Sequence, residues 1–577
     1  LPRLFAAFTA LALLGGCSGC KDKPGTPAVP KTGAPVTAPA PDAWLRGELP
    51  KEINEGTPVS GGTFTVRVTS EPAGLNRLHD QMAEGWMFKY TNGTVYETLA
   101  ELDRDSHPRY ELKPLLAESW EISPDHLTNT VHLRKGVKFH NGEVFSSRDV
   151  KAVLDAVMNP SNLTTTVRSY FLDLEKYETP DEHTVVLHWK KPYFLSFRNF
   201  ATALPMMPAS ALKGDWNTLP INRSPIGTGP FKFESWEASK TITFARNDEY
   251  WGKKPYLDKF VVRIVKDHTV ATQMWERGEF DLMTQVQPAV WRSVEAADPR
   301  NDWAVKGYNR IYFLENIYSW IAWNEERPMF KDRRVRTALA MLFPYEQVAK
   351  NVDMDLELPT TCPYYRESES CDATVARLAY DPRGAAKLLE EAGWKDTNGD
   401  GVLDREGVPF KATFLVNPHS VKMGKLVPLL QEEYRKVGIE LDIEKAETAV
   451  YMERLRSHEF DVGSMLWSSQ DPQQDQFQVF HSSQAAGGSN YVSYKSDEVD
   501  KLLEQIRTEF DAAARANLER RVHRLVYQDQ VYNFMTNRPS LDAAKRRVHG
   551  LRPSLTWYDL RTVWLAPDAS APAEGQK

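Results

Sequence analysis

An α/β fold with mixed sheets is predicted by three features of this chain of 577 residues: short alternating apolar stretches, capped amphipathic stretches, and the interleaving of the two. Phe64, Val66 and Val68 recur at every second position, as do Ile242 and Phe244, Phe260, Val262 and Ile264, and Ile439, Leu441 and Ile443. Each set reads as a half-buried strand, since successive strand side chains point to opposite faces. In "SSRDVKAVLDAVM" a serine cap precedes Val150, Val153, Leu154 and Val157, which share one helical face. "DPRGAAKLLEEAGW" opens with proline in the first turn and stops at Gly393, with Ala385, Leu388, Leu389 and Ala392 facing inward. Two more amphipathic helices are expected over 499–510 and 512–526. No short internal repeat is visible, and the length suits two or three domains.

The net charge of −7, from 71 basic and 78 acidic residues, leaves no basic footprint for nucleic acid. The 16 Trp, 22 Tyr and 25 Phe residues suit both core filling and stacking on flat solute groups. Residues 1–16 carry Arg3, an apolar run from Leu4 to Leu14, and small residues before Cys17. That run is shorter than the ~20 residues of a membrane span and reads as a secretory signal. Its end resembles the bacterial lipobox, which implies acylation of Cys17 and a membrane tether. Lys21 to Thr57 is rich in Pro, Ala, Thr and Gly and reads as an unstructured linker, as does the tail from Ala566. In an exported chain Cys362 and Cys371 suit a disulfide, two buried thiols being the alternative.

Reaction chemistry finds little support. No GxSxG elbow, HExxH helix or GxxxxGK[ST] loop occurs, and "GTGPF" at 227–231 reads as a turn entering a strand. The carboxylates are abundant, but a glycosidase needs two of them facing across a cleft, which spacing alone does not establish. "DTNGDGVLDREG" places Asp396, Asn398, Asp400, Gly401 and Asp404 at calcium-loop positions, but Gly407 stands where a bidentate glutamate should close the site. A polar turn is the expected reading, with no metal and no cofactor.

Three long stretches carry a resemblance: "LKPLLAESWEISPDHLTNTVHLRKGVKFHNGEVFSSRDVKAVLDAV" at 112–157, "SPIGTGPFKFESWEASKTITFARNDEYWGKKPYLDKFVVRIV" at 224–265, and "DPRGAAKLLEEAGWKDTNGDGV" at 381–402. "FKDRRVRTALAML" and "SNYVSYKSDEVDKLL" add to it. Together they resemble family 5 of the bacterial extracellular solute-binding proteins, the peptide and oligopeptide binders of ABC importers. The resemblance implies a two-lobed periplasmic-binding-protein fold, type II-like, that closes over a solute. One lobe would combine 59–95, 222–305 and 535–565, an extra domain would occupy 96–221, and the second lobe 306–534. It further implies a monomeric, non-enzymatic binder on the periplasmic side of the cell envelope, working with membrane permease subunits.

Most signature residues read as structural: Gly136, Gly142, Gly227 and Gly229 as turn formers, Trp120 and Trp251 as core or junction fillers. The family's ligand segment corresponds to "MLWSSQDPQQDQFQVFHSS" at 465–483. Trp467 and Asp471-Pro472 match, but Leu466 replaces a glycine and no residue stands at the aspartate that pairs with a peptide's α-amino group. Asp475 is the expected substitute, with Asp471 as the alternative or as a turn cap, because a buried ammonium needs a counter-charge. Trp467, Asn490 and Tyr491 complete the expected solute contacts. A non-peptide solute, such as an oligosaccharide or metal chelate, and a surface hydrolase on the same frame are the competing readings.

Overall fold

The computed structural model describes residues 56–82, 85–295, 308–553, 555 and 558–567. Cys17, the leader and nearly all of the expected linker lie outside the described residues, as does the tail from 568.

The main sheet is built from β1 (Thr63–Val68), β2 (Phe231–Glu237), β3 (Thr241–Arg246), β4 (Lys259–Ile264), β5 (Leu282–Met283), β6 (Tyr308–Trp323), β7 (Lys411–Val416), β8 (Glu440–Lys445), β9 (Val462–Ser468) and β10 (Asn533–Lys545). Their spatial order is β8-β7-β9-β6-β10-β5-β1-β4-β3-β2, and the short strand Leu358–Pro359 adds to β10. Both halves mix orientations: β1 runs parallel to β4 and β5, and β7 parallel to β8 and β9, while β6 is antiparallel to β9 and β10.

The long strands β6 and β10 join the halves. Near its start β10 pairs with Leu358–Pro359, and near its end with β5, so its outer neighbour changes from one half to the other along its length. The β6–β10 ladder runs from Tyr308 opposite Lys545 to Leu314 opposite Pro539, slips, and resumes with Tyr318 opposite Asn537. A slipped register leaves backbone outside the ladder and lets the pair bend there. The crossing thus lies mid-strand, a few residues inside the lobe boundaries expected at 306 and 535.

Side-chain alternation along β6 explains the second half. Tyr318, Trp320 and Ala322 enter one core with Val499, Leu503, Val522 and Tyr532, while Ile321 and Trp323 enter another with Leu339, Leu389, Phe414 and Leu426. Helices therefore cover both faces of this half. In the first half Phe64, Val66, Phe244, Phe260 and Val262 share one apolar cluster with Val131, Val153 and Leu187 of the 96–221 segment. That segment carries its own four-stranded antiparallel sheet, ordered Ala117–Ile122, Thr128–Leu133, Thr184–Trp189, Leu174–Asp181.

The helices follow their caps. Asp149 accepts from the Ser146 backbone N–H at 2.9 Å and starts Ser147–Met158; Asp381 accepts from the Gly384 N–H and starts Pro382–Glu391. The helix expected from 499 begins two residues earlier, at Asp497 behind a Ser496 cap, and the last runs Ala512–Gln528.

Two expectations need correction. Ile443 is 37% exposed, because β8 is the edge strand of the sheet. Gly227 and Gly229 do not supply a positive φ; a Cβ at Gly227 would fall on the Val95 carbonyl oxygen and one at Gly229 on that of Thr94. These glycines allow backbone to pack against backbone, whereas Gly136 and Gly142 do adopt positive φ. Trp251 is half-buried and donates to Glu97 at 2.8 Å, and Trp120 packs at the edge of the first core against Phe197.

Candidate functional site

The loop after β9 meets the 96–221 segment beside the β6–β10 crossing. Asp471 lies on this loop and accepts two bonds from Arg198, from Nε at 2.5 Å and Nη2 at 2.8 Å. Arg198 is buried and also donates to the Tyr110 carbonyl at 2.7 Å, while Asn316 on β6 donates to the Asp471 carbonyl at 3.0 Å. Asp471 also caps its own turn, accepting the Gln473 N–H at 2.9 Å. Four residues on, Asp475 accepts the Tyr193 hydroxyl at 3.0 Å and the Phe477 N–H at 2.9 Å, and pairs with Arg507 Nε at 3.1 Å. Burial pushes the Asp475 carboxyl up, and Arg507 pulls it down. Both aspartates expected at the site therefore already hold an arginine of the chain itself.

The other expected contacts sit differently. Trp467 and Tyr491 stack on each other, ring centroids 5.8 Å apart. Asn490 is fully buried; its Nδ2 donates to the carbonyls of His481 and Tyr494, and its Oδ1 accepts the Tyr494 N–H at 3.0 Å. Its hydrogen-bonding capacity is spent inside a turn, where a short polar side chain substitutes for backbone partners.

The expected disulfide, together with residues the sequence reading did not single out, completes the junction. Cys362 and Cys371 are joined, Sγ to Sγ, at 2.00 Å. The loop between them is fastened on one side to the inserted segment, by Arg109 with Glu369 at 2.8 Å and the Tyr365 hydroxyl with His107 at 3.0 Å. On the other side it lies against Ala512–Gln528: Ser370 donates to Glu519 at 2.5 Å, the Asp372 N–H donates to His523 at 3.0 Å, and Arg524 pairs with Asp372. The buried hydroxyls of Tyr318 and Tyr364 and the Asn537 Oδ1 meet no hydrogen-bond partner among the described residues. Buried polar atoms are almost always paired, so each of these three groups has hydrogen-bonding capacity left for a further polar partner.

Elsewhere, the loop read as a polar turn closes on its own backbone: Asp396 accepts the N–H groups of Gly399 at 2.7 Å and Gly401 at 3.0 Å, and Asp404 turns inward to Thr397. Among the described residues no group of three or more His, Cys, Asp or Glu side chains is arranged to hold a metal ion, and no helix is long and apolar enough to cross a membrane.

Comparison with known proteins adds the following. The family model described as "Bacterial extracellular solute-binding proteins, family 5 Middle" matches residues 111–489. The oligopeptide-binding protein AppA of Bacillus subtilis (strain 168) is 28% identical over 527 residues, 89% of this chain and 93% of AppA. The solved structure of that AppA in complex with a nonapeptide superposes with a TM-score of 0.73 at 27% identity, covering 89% of this chain and 100% of that one. NikA from Brucella suis, solved in complex with Fe(III)-EDTA, shares the fold with a TM-score of 0.76 at 22% identity, covering 88% of this chain and 100% of its own.

Proposed function

Because the chain belongs to the family 5 bacterial extracellular solute-binding proteins, we propose that it captures a short peptide between the two halves of its sheet and delivers it unaltered to the permease of an ABC-type importer. The observation that carries this reading is the junction beside the crossing strands, where the unpaired hydroxyls of Tyr318 and Tyr364 and the Asn537 Oδ1 lie among segments from both halves. A peptide presents alternating N–H and C=O groups that suit such a surface. The AppA comparison favours a peptide over other solutes. Binding without turnover agrees with the lack of reaction motifs in the sequence. Contacts from a solute to both halves would favour a closed over an open arrangement, with the mid-strand slip as the bend. The rest of the proposal concerns placement: a monomer outside the cytoplasm on the periplasmic side, held to the membrane through acylated Cys17 and the Pro/Ala-rich linker. Several acyl chains, at about 0.8 kcal/mol per buried CH₂, make a stable anchor.

The test is mass spectrometry of small molecules released when the purified protein is denatured, followed by small-angle scattering with and without the compound found. Peptides of intact mass and a smaller radius of gyration on binding are expected. A chemically altered product, or a non-peptide cargo that rebinds stoichiometrically, rules the reading out.

A further inference from the structure

We propose that Glu519 seats a cationic group of the solute, an ammonium or a guanidinium, where the disulfide loop meets the helix Ala512–Gln528. This rests on the peptide reading above and deepens it. Of the carboxylates at the junction, Asp471 is matched by Arg198, Asp475 by Arg507 and Tyr193, Glu369 by Arg109 and Asp372 by Arg524. Glu519 differs. It is 5% exposed and accepts the Ser370 hydroxyl at 2.5 Å, yet no cation of the described residues lies within ion-pair distance of it. Arg515, one turn earlier, is drawn elsewhere: its Nη1 donates to the carbonyls of Glu509 at 3.0 Å and Phe510 at 3.5 Å, and its guanidinium lies 4.4 Å from the Phe194 ring centroid.

A second observation points the same way. The Tyr364 hydroxyl is fully buried, has no hydrogen-bond partner among the described residues, and lies within electrostatic reach of Glu519, Asp475 and Tyr318, whose own hydroxyl is equally unpartnered. Arg515 and Arg520 act on Glu519 only from beyond ion-pair distance; a cation bearing several N–H donors would give it a direct partner, and the polar atoms next to that cation would meet the tyrosine hydroxyls. Burial meanwhile pushes the Glu519 carboxyl up to about 7, against the Ser370 hydrogen bond and the charges of Arg515 and Arg520. The Cys362–Cys371 bridge holds Tyr364 and Ser370 on one short loop, so both sides of this seat are positioned before any solute arrives.

Calorimetric titration with three probes tests this: tetra-alanine, its N-acetylated form, and the N-acetylated form with one alanine replaced by arginine. At least one cation-bearing probe should bind about tenfold or more tightly than the neutral one, and which probe does so tells an α-ammonium from a side-chain cation. In Glu519→Gln that preference should vanish while the neutral probe still binds. Glu519→Asp keeps a carboxylate on the same helix position and should keep a cation preference, which separates loss of the charge from general damage. In the wild type the preference should shrink from pH 7 to pH 5.5 as Glu519 takes up a proton, a range over which both probe cations keep their charge. Of the groups facing it besides Arg520, Arg515 stays charged and Tyr364 stays neutral over that range, His523 lies below it at about 4, and Asp475 is controlled by Asp475→Asn. Binding of all probes without a cation preference, or a preference intact in Glu519→Gln, overturns this inference alone. Failure of every probe to bind overturns the peptide reading and this inference with it.

Discussion

Glu97 shows how one buried side chain writes itself into the pH dependence of the whole chain. It is fully buried, accepts from Thr228 Oγ1 at 2.8 Å, the Tyr250 hydroxyl at 2.7 Å and Trp251 Nε1 at 2.8 Å, and so ties the root of the inserted segment to the strands that follow it. Burial outweighs these donors and pushes its carboxyl from 4.5 up to about 7. Between those values the unfolded chain has released the proton while the folded chain still holds it, so stability falls as pH rises through the window and levels off above it. Glu325 and Glu519 shift in the same direction, while Asp372, lowered to about 2, acts oppositely and only at acid pH. Urea midpoints measured from pH 4.5 to 7.5 should therefore decline less steeply in Glu97→Gln than in the wild type. Parallel declines would mean that Glu97 ionises normally in the folded protein. No pattern in the sequence marks this residue; its partners come from separate stretches, and only the fold brings them together.

At the scale of elements the sequence was easier to read. Strands and helices followed from alternation and capping, because those signals are local: Ser146, Asp381 and Ser496 each start a helix through a bond spanning a few residues. Burial was harder to read, as Ile443 shows, since whether a strand lies at an edge depends on the rest of the sheet. The glycines of "GTGPF" teach the same lesson. Their type was visible in the sequence, but the reason for it lies some 130 residues away, in the Val95 and Thr94 carbonyls against which they pack. Those contacts are part of a ladder: the Gly229 N–H donates to the Val95 carbonyl at 3.1 Å and the Phe231 N–H to that of Thr94 at 2.8 Å, which leads the chain into β2. Gly227→Ala must push two backbones apart, and a cost of about 2 to 4 kcal/mol is expected, at the high end for single substitutions. Gly136→Ala, at a positive φ with open space around it, should cost only about 1 kcal/mol. Thermal melts of the two variants compare them directly. An equal loss in both would mean that backbone conformation, not close packing, is what Gly227 provides.

For the whole molecule, two halves with separate apolar cores are joined through β6 and β10, and the residues that control this joint are the ones a linear reading is least able to find. Asp471 and Asp475 were found because they lie in one short segment; Arg198, Arg507 and Glu519, which decide what those carboxylates are free to do, lie far from it in sequence. Lys89 belongs with them. Its Nζ stands 3.5 Å from Glu315, inside the slipped stretch of β6, and 3.6 Å from Asp542 on β10, so one ammonium from the first half bridges both crossing strands. Asp542 is fully buried and is also held by the Tyr558 hydroxyl at 2.5 Å and the Gln285 N–H at 2.9 Å. Removing the cation leaves that buried carboxylate short of its counter-charge, which costs about 3 to 5 kcal/mol when a buried pair is broken on one side. Lys89→Met should therefore lower stability by an amount of that order, and Lys89→Met with Asp542→Asn should recover much of it, a coupling the double-mutant cycle measures. The joint makes a more specific demand. If Lys89 pins the slip, amide hydrogen exchange at 315–317 and at Arg538 should quicken in the single variant beyond what the global loss accounts for, because these amides already lie where the ladder is interrupted. Uniform acceleration across both halves would show instead that Lys89 contributes to general stability and leaves the bend to other contacts.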